Sequence, residues 1–189
     1  MIQIDDFKNR KTIIVGETNT GKTALTGKIL EMFLVERDSN LAIIDMAPER
    51  LKGIGGKLPL KTIGCARYYT DRIVPPRLTG KTDHEVETLA WENAVILERI
   101  IENCLINPPE VLFINDVSIY LQAGDLQKLL LLIDTVPTVI MNGYYGLSLG
   151  GGKLGEREHQ NMEFLQDACD IVIFLKPRKN TSLISRAMG

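Results

Sequence analysis

Cysteine is scarce in this chain. Only Cys65, Cys104 and Cys169 occur in 189 residues, and no two stand in a C-x-x-C pair. That pattern excludes a disulfide framework and a cysteine metal site, and predicts reduced, mostly buried thiols. A dominant charge is missing as well: 22 Lys and Arg against 24 Asp and Glu leave a net charge of -2. The overall field therefore draws neither nucleic acid nor an anionic membrane, although a local basic loop could still do so. No apolar run approaches the ~20 residues of a membrane span. The opening stretch Met1 to Asp6 lacks the apolar core of a secretory signal, so a cytoplasmic protein is expected, with no membrane partner. Repeats and low-complexity tracts are absent too. With 44% hydrophobic residues, the length suits one domain with a sizeable core, spanning 1–189.

What is present is organised around GETNTGKT, Gly16 to Thr23. It follows the apolar run Thr12 to Val15 and opens a helical pattern from Ala24 to about Val35. Strand, glycine-rich turn and helix are the context that a phosphate-binding loop requires. Gly16 and Gly21 permit a tight bend and a close approach of backbone to ligand. The intervening Glu17, Thr18, Asn19 and Thr20, with Ala24 beyond, then turn successive N–H groups inward at a helix N-terminus. Lys22 supplies a positive charge for the outer phosphates, and the Thr23 hydroxyl is a ligand for Mg2+.

Buried strands are predicted over about Lys11 to Val15, Leu41 to Ile44, Val111 to Ile114, Val136 to Met141 and Ile171 to Leu175. A capping signal at Thr82 to Glu85 starts a long helix that Asn107-Pro108-Pro109 stops. Further helices are expected around Leu126 to Ile133 and Glu156 to Ala168. The stretch 51–80 is broken by glycine and proline and reads as an irregular excursion at the sheet edge, with short extended pieces near Lys61 to Ala66 and Arg67 to Val74. One more strand is allowed at Ser182 to Ser185. Alternation of strand and helix predicts an α/β fold: three αβα layers with a mostly parallel open sheet. In such sheets ligands bind at the carboxyl ends of the strands. Asp45 and Glu49, Asn115 and Asp116, and Asn142 fall at those ends with the loop.

The segment Val111 to Asp116 looks like a Walker B strand, whose final carboxylate would help to hold Mg2+. With Gly16 to Thr23 it resembles the P-loop NTPase superfamily over about Lys11 to Leu175. Three features are most similar to its RecA-like ATPase branch. Asp116 is followed by Val117-Ser118-Ile119 and not by Glu. Asp45 to Arg50 is similar to the region in which those proteins carry a Glu, although the spacing differs. Asn142 stands at the end of a strand like their polar sensor, and Ala168 to Leu175 resembles the strand that follows it.

The resemblance implies ATP as ligand, Mg2+ as cofactor, and an ATPase that couples nucleotide state to a partner. Lys22, Asp116, Glu49 and Asp45 are the catalytic candidates, with Glu49 the first choice for orienting the attacking water and Asp45 the second. Each has a plainer reading, Asp45 as a strand-end turn residue and Glu49 as the charge of a short helix. Asn142 either senses the γ-phosphate or caps a turn. Arg157, Arg178 and Arg186 are candidate arginine fingers in a homo-oligomer, or solvated surface charges. Tyr144, Tyr145 and Lys153 could serve a protein or single-stranded nucleic-acid partner, or simply a flexible connection. Tyr68, Tyr69, Arg72, Pro75, Pro76 and Arg77 could hold a second substrate. Trp91 is expected in the core or facing a partner, and His84 and His159 on helix surfaces. A small-molecule phosphotransferase or adenosyltransferase-like enzyme and a non-hydrolysing regulator are the alternatives. The absence of an N-K-x-D segment favours ATP over GTP.

Overall fold

The computed structural model describes residues 2–36, 40–60 and 64–177. Six strands form one sheet in the order β3-β2-β4-β5-β1-β6. They are β1 (Lys11–Gly16), β2 (Leu41–Asp45), β3 (Arg67–Thr70), β4 (Val111–Asn115), β5 (Thr138–Tyr144) and β6 (Ile171–Leu175). Every pairing is parallel. The expectation of a mostly parallel sheet in three αβα layers holds, and the core is RecA-like.

The two faces follow from strand alternation. Ile13, Val15, Ala42, Ile44, Leu112, Ile114, Val139 and Met141 face one layer, where α3 (Asp83–Ile106), α5 (Leu126–Thr135) and α6 (Gly152–Asp167) bury Leu97, Leu132 and Met162 against them. Ile14, Ile43, Phe113 and Ile140 point the other way, onto Ile29, Leu30 and Phe33 of α1 (Lys22–Val35). Parallel strands covered on both sides must be apolar throughout, and β1, β2, β4 and β5 are buried at nearly every position.

Two short helices have no counterpart in the sequence pattern, α2 (Pro76–Thr79) and α4 (Ser118–Leu121). Each is about one turn, too short to carry a 3.6-residue period. Thr82 caps α3 by accepting from Glu85 N at 3.2 Å, but the Glu85 carboxylate returns to Lys81 N, so the capping box is half made. Asn93, on the apolar face of α3, exchanges two hydrogen bonds with the backbone of Val74 and pins the excursion to the helix. β3 sits at the sheet edge as expected.

Trp91 is 62% exposed on α3, so of its two readings the core one falls. One expectation needs correction. Cys65 is exposed, and only Cys104 is fully buried. Of the extended piece predicted at Lys61 to Ala66, Gly64 and Cys65 form a turn and 61–63 lie outside the described residues, as do the piece at 182–185, Arg178 and Arg186.

Candidate functional site

The glycine-rich turn from Gly16 to Thr23 lies at the carboxyl end of β1 and the start of α1. Gly21 is the N-cap of α1 with φ 96°, a left-handed conformation that side chains resist. Gly16 is needed for a different reason: a Cβ there would stand 2.3 Å from the carbonyl oxygen of Leu175 in the neighbouring strand. Lys22 Nζ donates to the carbonyls of Gly16 at 2.8 Å and Glu17 at 2.6 Å, so its ammonium curls over the turn. Burial draws the Lys22 amine down from its ordinary value, while the charges of Asp116 and Glu17 oppose that shift.

A cleft of about 610 Å³ opens over this end of the sheet. The turn from Thr18 to Ala24 forms one wall. The segments 48–50 and 54–57, the stretch Pro75 to Leu78, Asp116, Gln122, Asn142 and Glu158 are among the residues that line the rest. Asp116 follows β4 with φ 58° and accepts from Ser118 Oγ at 2.8 Å. Its strand does not adjoin β1, because β5 lies between them. The cleft spans that gap. Burial raises the Asp116 carboxyl; the bond from Ser118 and the charge of Lys22 lower it, and Asp45 adds to the rise. Thr23 and Asp116 face the same cleft and offer hard oxygens. Among the described residues no three acidic, His or Cys side chains cluster for a metal. So sparse a protein ligand set fits magnesium, which keeps water and phosphate oxygens in its shell, and not a fully protein-caged ion.

Asp45 and Asn142 spend their polar atoms within the fold, Asp45 in keeping with its plainer reading as a strand-end turn residue. Asp45 and Asn115 end their strands and Asn142 lies within β5, all on the α1 face, in step with Ile43, Phe113 and Ile140. There they bond to one another. Asn142 Nδ2 donates to Thr26 Oγ1 and to Asn115 Oδ1, both at 2.9 Å, and Asn142 Oδ1 accepts from Asp116 N at 3.2 Å. Asn115 Nδ2 donates to Asp45 Oδ1 at 2.7 Å. The Asp45 carboxylate also takes Leu58 N at 2.8 Å, Tyr68 Oη at 2.9 Å and Ala47 N at 3.3 Å. Asp45 is 0% exposed. A fully engaged, buried carboxylate does not orient a water, and an amide with both hydrogens spent does not sense a phosphate. The two residues tie the wall at 56–58 to the phosphate helix. Burial first, then Asp45, pushes the Tyr68 hydroxyl well above its ordinary range.

Glu49 is exposed and lines the cleft. Arg157 donates to the carbonyls of Ala123 and Gly124 at 3.1 and 3.0 Å, which ties α6 to the turn after α4 within its own chain. Tyr145 stacks on His159 with centroids 4.5 Å apart, and the Tyr144 hydroxyl accepts from Leu149 N, so neither ring is a free stacking platform. The loop after β5 is instead held to the phosphate turn. Glu17 accepts from Leu147 N at 2.6 Å and from Ser148 Oγ. Burial works to raise the Glu17 carboxyl, but these bonds outweigh it and hold it below its ordinary value.

Three groups in the cleft were missed as a set. Glu158 of α6 is 3% exposed, pairs closely with Arg77 of α2, and accepts from Gln122 Nε2 at 3.3 Å. Burial lifts its carboxyl to about 7; Arg77 opposes the shift and Asp116 adds to it. A signal existed. Glu158, Met162 and Leu165 fall at i, i+4 and i+7, so this acid stands on the buried stripe of its helix.

No family model and no curated protein sequence matches the chain. Among solved structures it is similar to the flagellar accessory protein FlaH of Methanocaldococcus jannaschii, with a TM-score of 0.52 and 13% identity over 89% of this chain and 71% of that one. A protein of Pyrococcus horikoshii OT3 is similar with a TM-score of 0.46 and 6% identity, over 93% of this chain and 88% of that one. At such identities the FlaH likeness bears on the fold alone, and it agrees with the RecA-like core described above.

Proposed function

We propose that this protein binds ATP with magnesium and hydrolyses it, coupling nucleotide state to a partner. The observation that carries this reading is the glycine turn at the head of α1, with Lys22 and Thr23 facing Asp116 across one cleft. Backbone N–H groups at the helix start would cradle the phosphates, and Lys22 would leave the carbonyls of Gly16 and Glu17 for the β- and γ-phosphate oxygens. Thr23 and Asp116 would hold the magnesium ion, which when bound supplies charge to the developing transition state. The carboxylates of the cleft that can meet a water are Glu49, nominated by the sequence, and Glu158, revealed by the fold. The partner surface is open. Exposed Leu147, Phe164 and Phe174 near the loop after β5 and the β6 edge offer apolar contacts to another protein or a second copy of this chain.

A phosphoryl transferase is the second reading. Its support is the extent of the cleft beyond the phosphate turn, to Arg50, Lys57 and Pro75. Phosphate release and Mg-ATP-dependent melting on one sample separate the readings. Release without an acceptor, abolished by Lys22→Ala, is the expected result. Turnover only with an added acceptor would replace the ATPase by a transferase, and thermal stabilisation without turnover would leave a regulator. No response to any nucleotide would end the proposal.

A further inference from the structure

We propose that Gln122 and Glu158 seat the water that attacks the γ-phosphate, with Arg77 positioning Glu158. This rests on the ATPase reading and names the group that reading lacks. Gln122 closes α4, six residues beyond Asp116, and is 4% exposed. Its Nε2 donates to Glu158 Oε2, which fixes the amide: the opposite orientation would set oxygen against carboxylate. Gln122 Oε1 is then a buried acceptor with no donor among the described residues. A buried polar atom without a partner calls for one.

Glu158 has a second acceptor to offer. Arg77 and Gln122 both bond Oε2 and leave Oε1 unused by either. The two side chains line the same cleft as the phosphate turn. A molecule with two donors and a small volume answers both acceptors, and water is that molecule. Bound so, each O–H is spent on one acceptor and a lone pair on oxygen remains to face the cleft.

The chemistry then balances. The water oxygen forms a bond to the γ-phosphorus as the bond from that phosphorus to the bridging oxygen breaks. ADP leaves with the bonding pair, one water proton passes to the Glu158 carboxylate, and inorganic phosphate results. Glu158 returns its proton to solvent. Arg77, with a side chain only 13% exposed, holds the carboxylate on α6 toward Gln122, and acts through it. Glu49 stands at the exposed edge of the cleft, where bulk water competes for every bond.

The test measures phosphate release and Mg-ATP-dependent melting on the full chain. Glu158→Gln is expected to lower kcat by roughly 100-fold or more, the usual share of a general base. KM for ATP and the Mg-ATP thermal shift stay within about twofold, a split that general loosening of the fold would not give. Gln122→Leu, which spares the ion pair, should lower kcat by about tenfold on the same argument. Should Glu158→Gln fold poorly with Arg77 left unpaired, Arg77→Met with Glu158→Gln removes that charge and is expected to lose kcat as far. Near wild-type kcat in Glu158→Gln or the double variant, with Lys22→Ala inactive, would overturn the water seat and leave the ATPase standing. So would a loss confined to Glu49→Gln. Wild-type protein that binds Mg-ATP and never releases phosphate would overturn both.

Discussion

Asp45→Asn asks whether the buried carboxylate at the end of β2 is structural. The change keeps shape and replaces one oxygen by an NH2. All four partners of the carboxylate donate: Ala47 N and Asn115 Nδ2 to Oδ1, Leu58 N and Tyr68 Oη to Oδ2. The cheaper orientation turns the new NH2 toward Tyr68, whose hydroxyl can rotate to accept. Leu58 N is then stranded, at about 1–3 kcal/mol, and the two bonds kept on Oδ1 lose their charged acceptor, at about 1 kcal/mol each. The sum is roughly 3–5 kcal/mol, a large part of the 5–15 kcal/mol that holds a domain of this size. At about 2–4 °C per kcal/mol the melting temperature falls by roughly 6–20 °C. Urea unfolding and thermal melting both read this. Tyr68→Phe should cost less in the Asp45→Asn background than in the wild type, because one misplaced hydroxyl goes with it. A variant as stable as the wild type would refute the reasoning: relief of the buried charge would then outweigh every bond that ties Leu58 to β2.

Two further outcomes follow from the same geometry. Glu158 has its carboxyl raised from 4.5 to about 7, so between those values the folded chain keeps a proton that the unfolded chain has lost, and stability falls as pH rises through that window. The loss is roughly 2–3 kcal/mol from pH 5 to 8. Denaturant midpoints of wild type and Glu158→Gln should converge by that amount, and parallel midpoints across the range would refute it. In Gly146→Ala, the new Cβ would meet the Glu17 carboxylate at 2.3–2.6 Å. The flexible side chain yields, so the stability cost stays under about 1 kcal/mol, while the Leu147 amide loses its acceptor and exchanges with solvent several times faster; unchanged exchange would show that Glu17 does not hold the loop.

The phosphate turn and the sheet were legible because their signals are local or periodic. A glycine at a forced backbone angle, a lysine after it, and apolar runs of strand length need no knowledge of neighbours. The division of labour among the polar strand ends was not legible. Asp45, Asn142 and Asp116 all stand near the carboxyl ends of buried strands, and nothing in the residue type tells a carboxylate that faces a cleft from one that faces another strand. Alternation did hold the clue: Asp45, Asn115 and Asn142 continue the α1 face, where Thr26 waits, whereas Asp116 lies one residue past its strand. Gln122 and Arg77 sit in or beside one-turn helices, below the length at which any period speaks.

The sheet order has a consequence for how this protein is made. The strand that delivers the glycine turn is flanked by the last two strands among the described residues, and the carbonyl of Leu175 lies against Gly16. During synthesis the turn emerges well before β5 and β6, the two strands that flank it. The geometry of the turn is therefore completed late, as β6 docks beside Gly16.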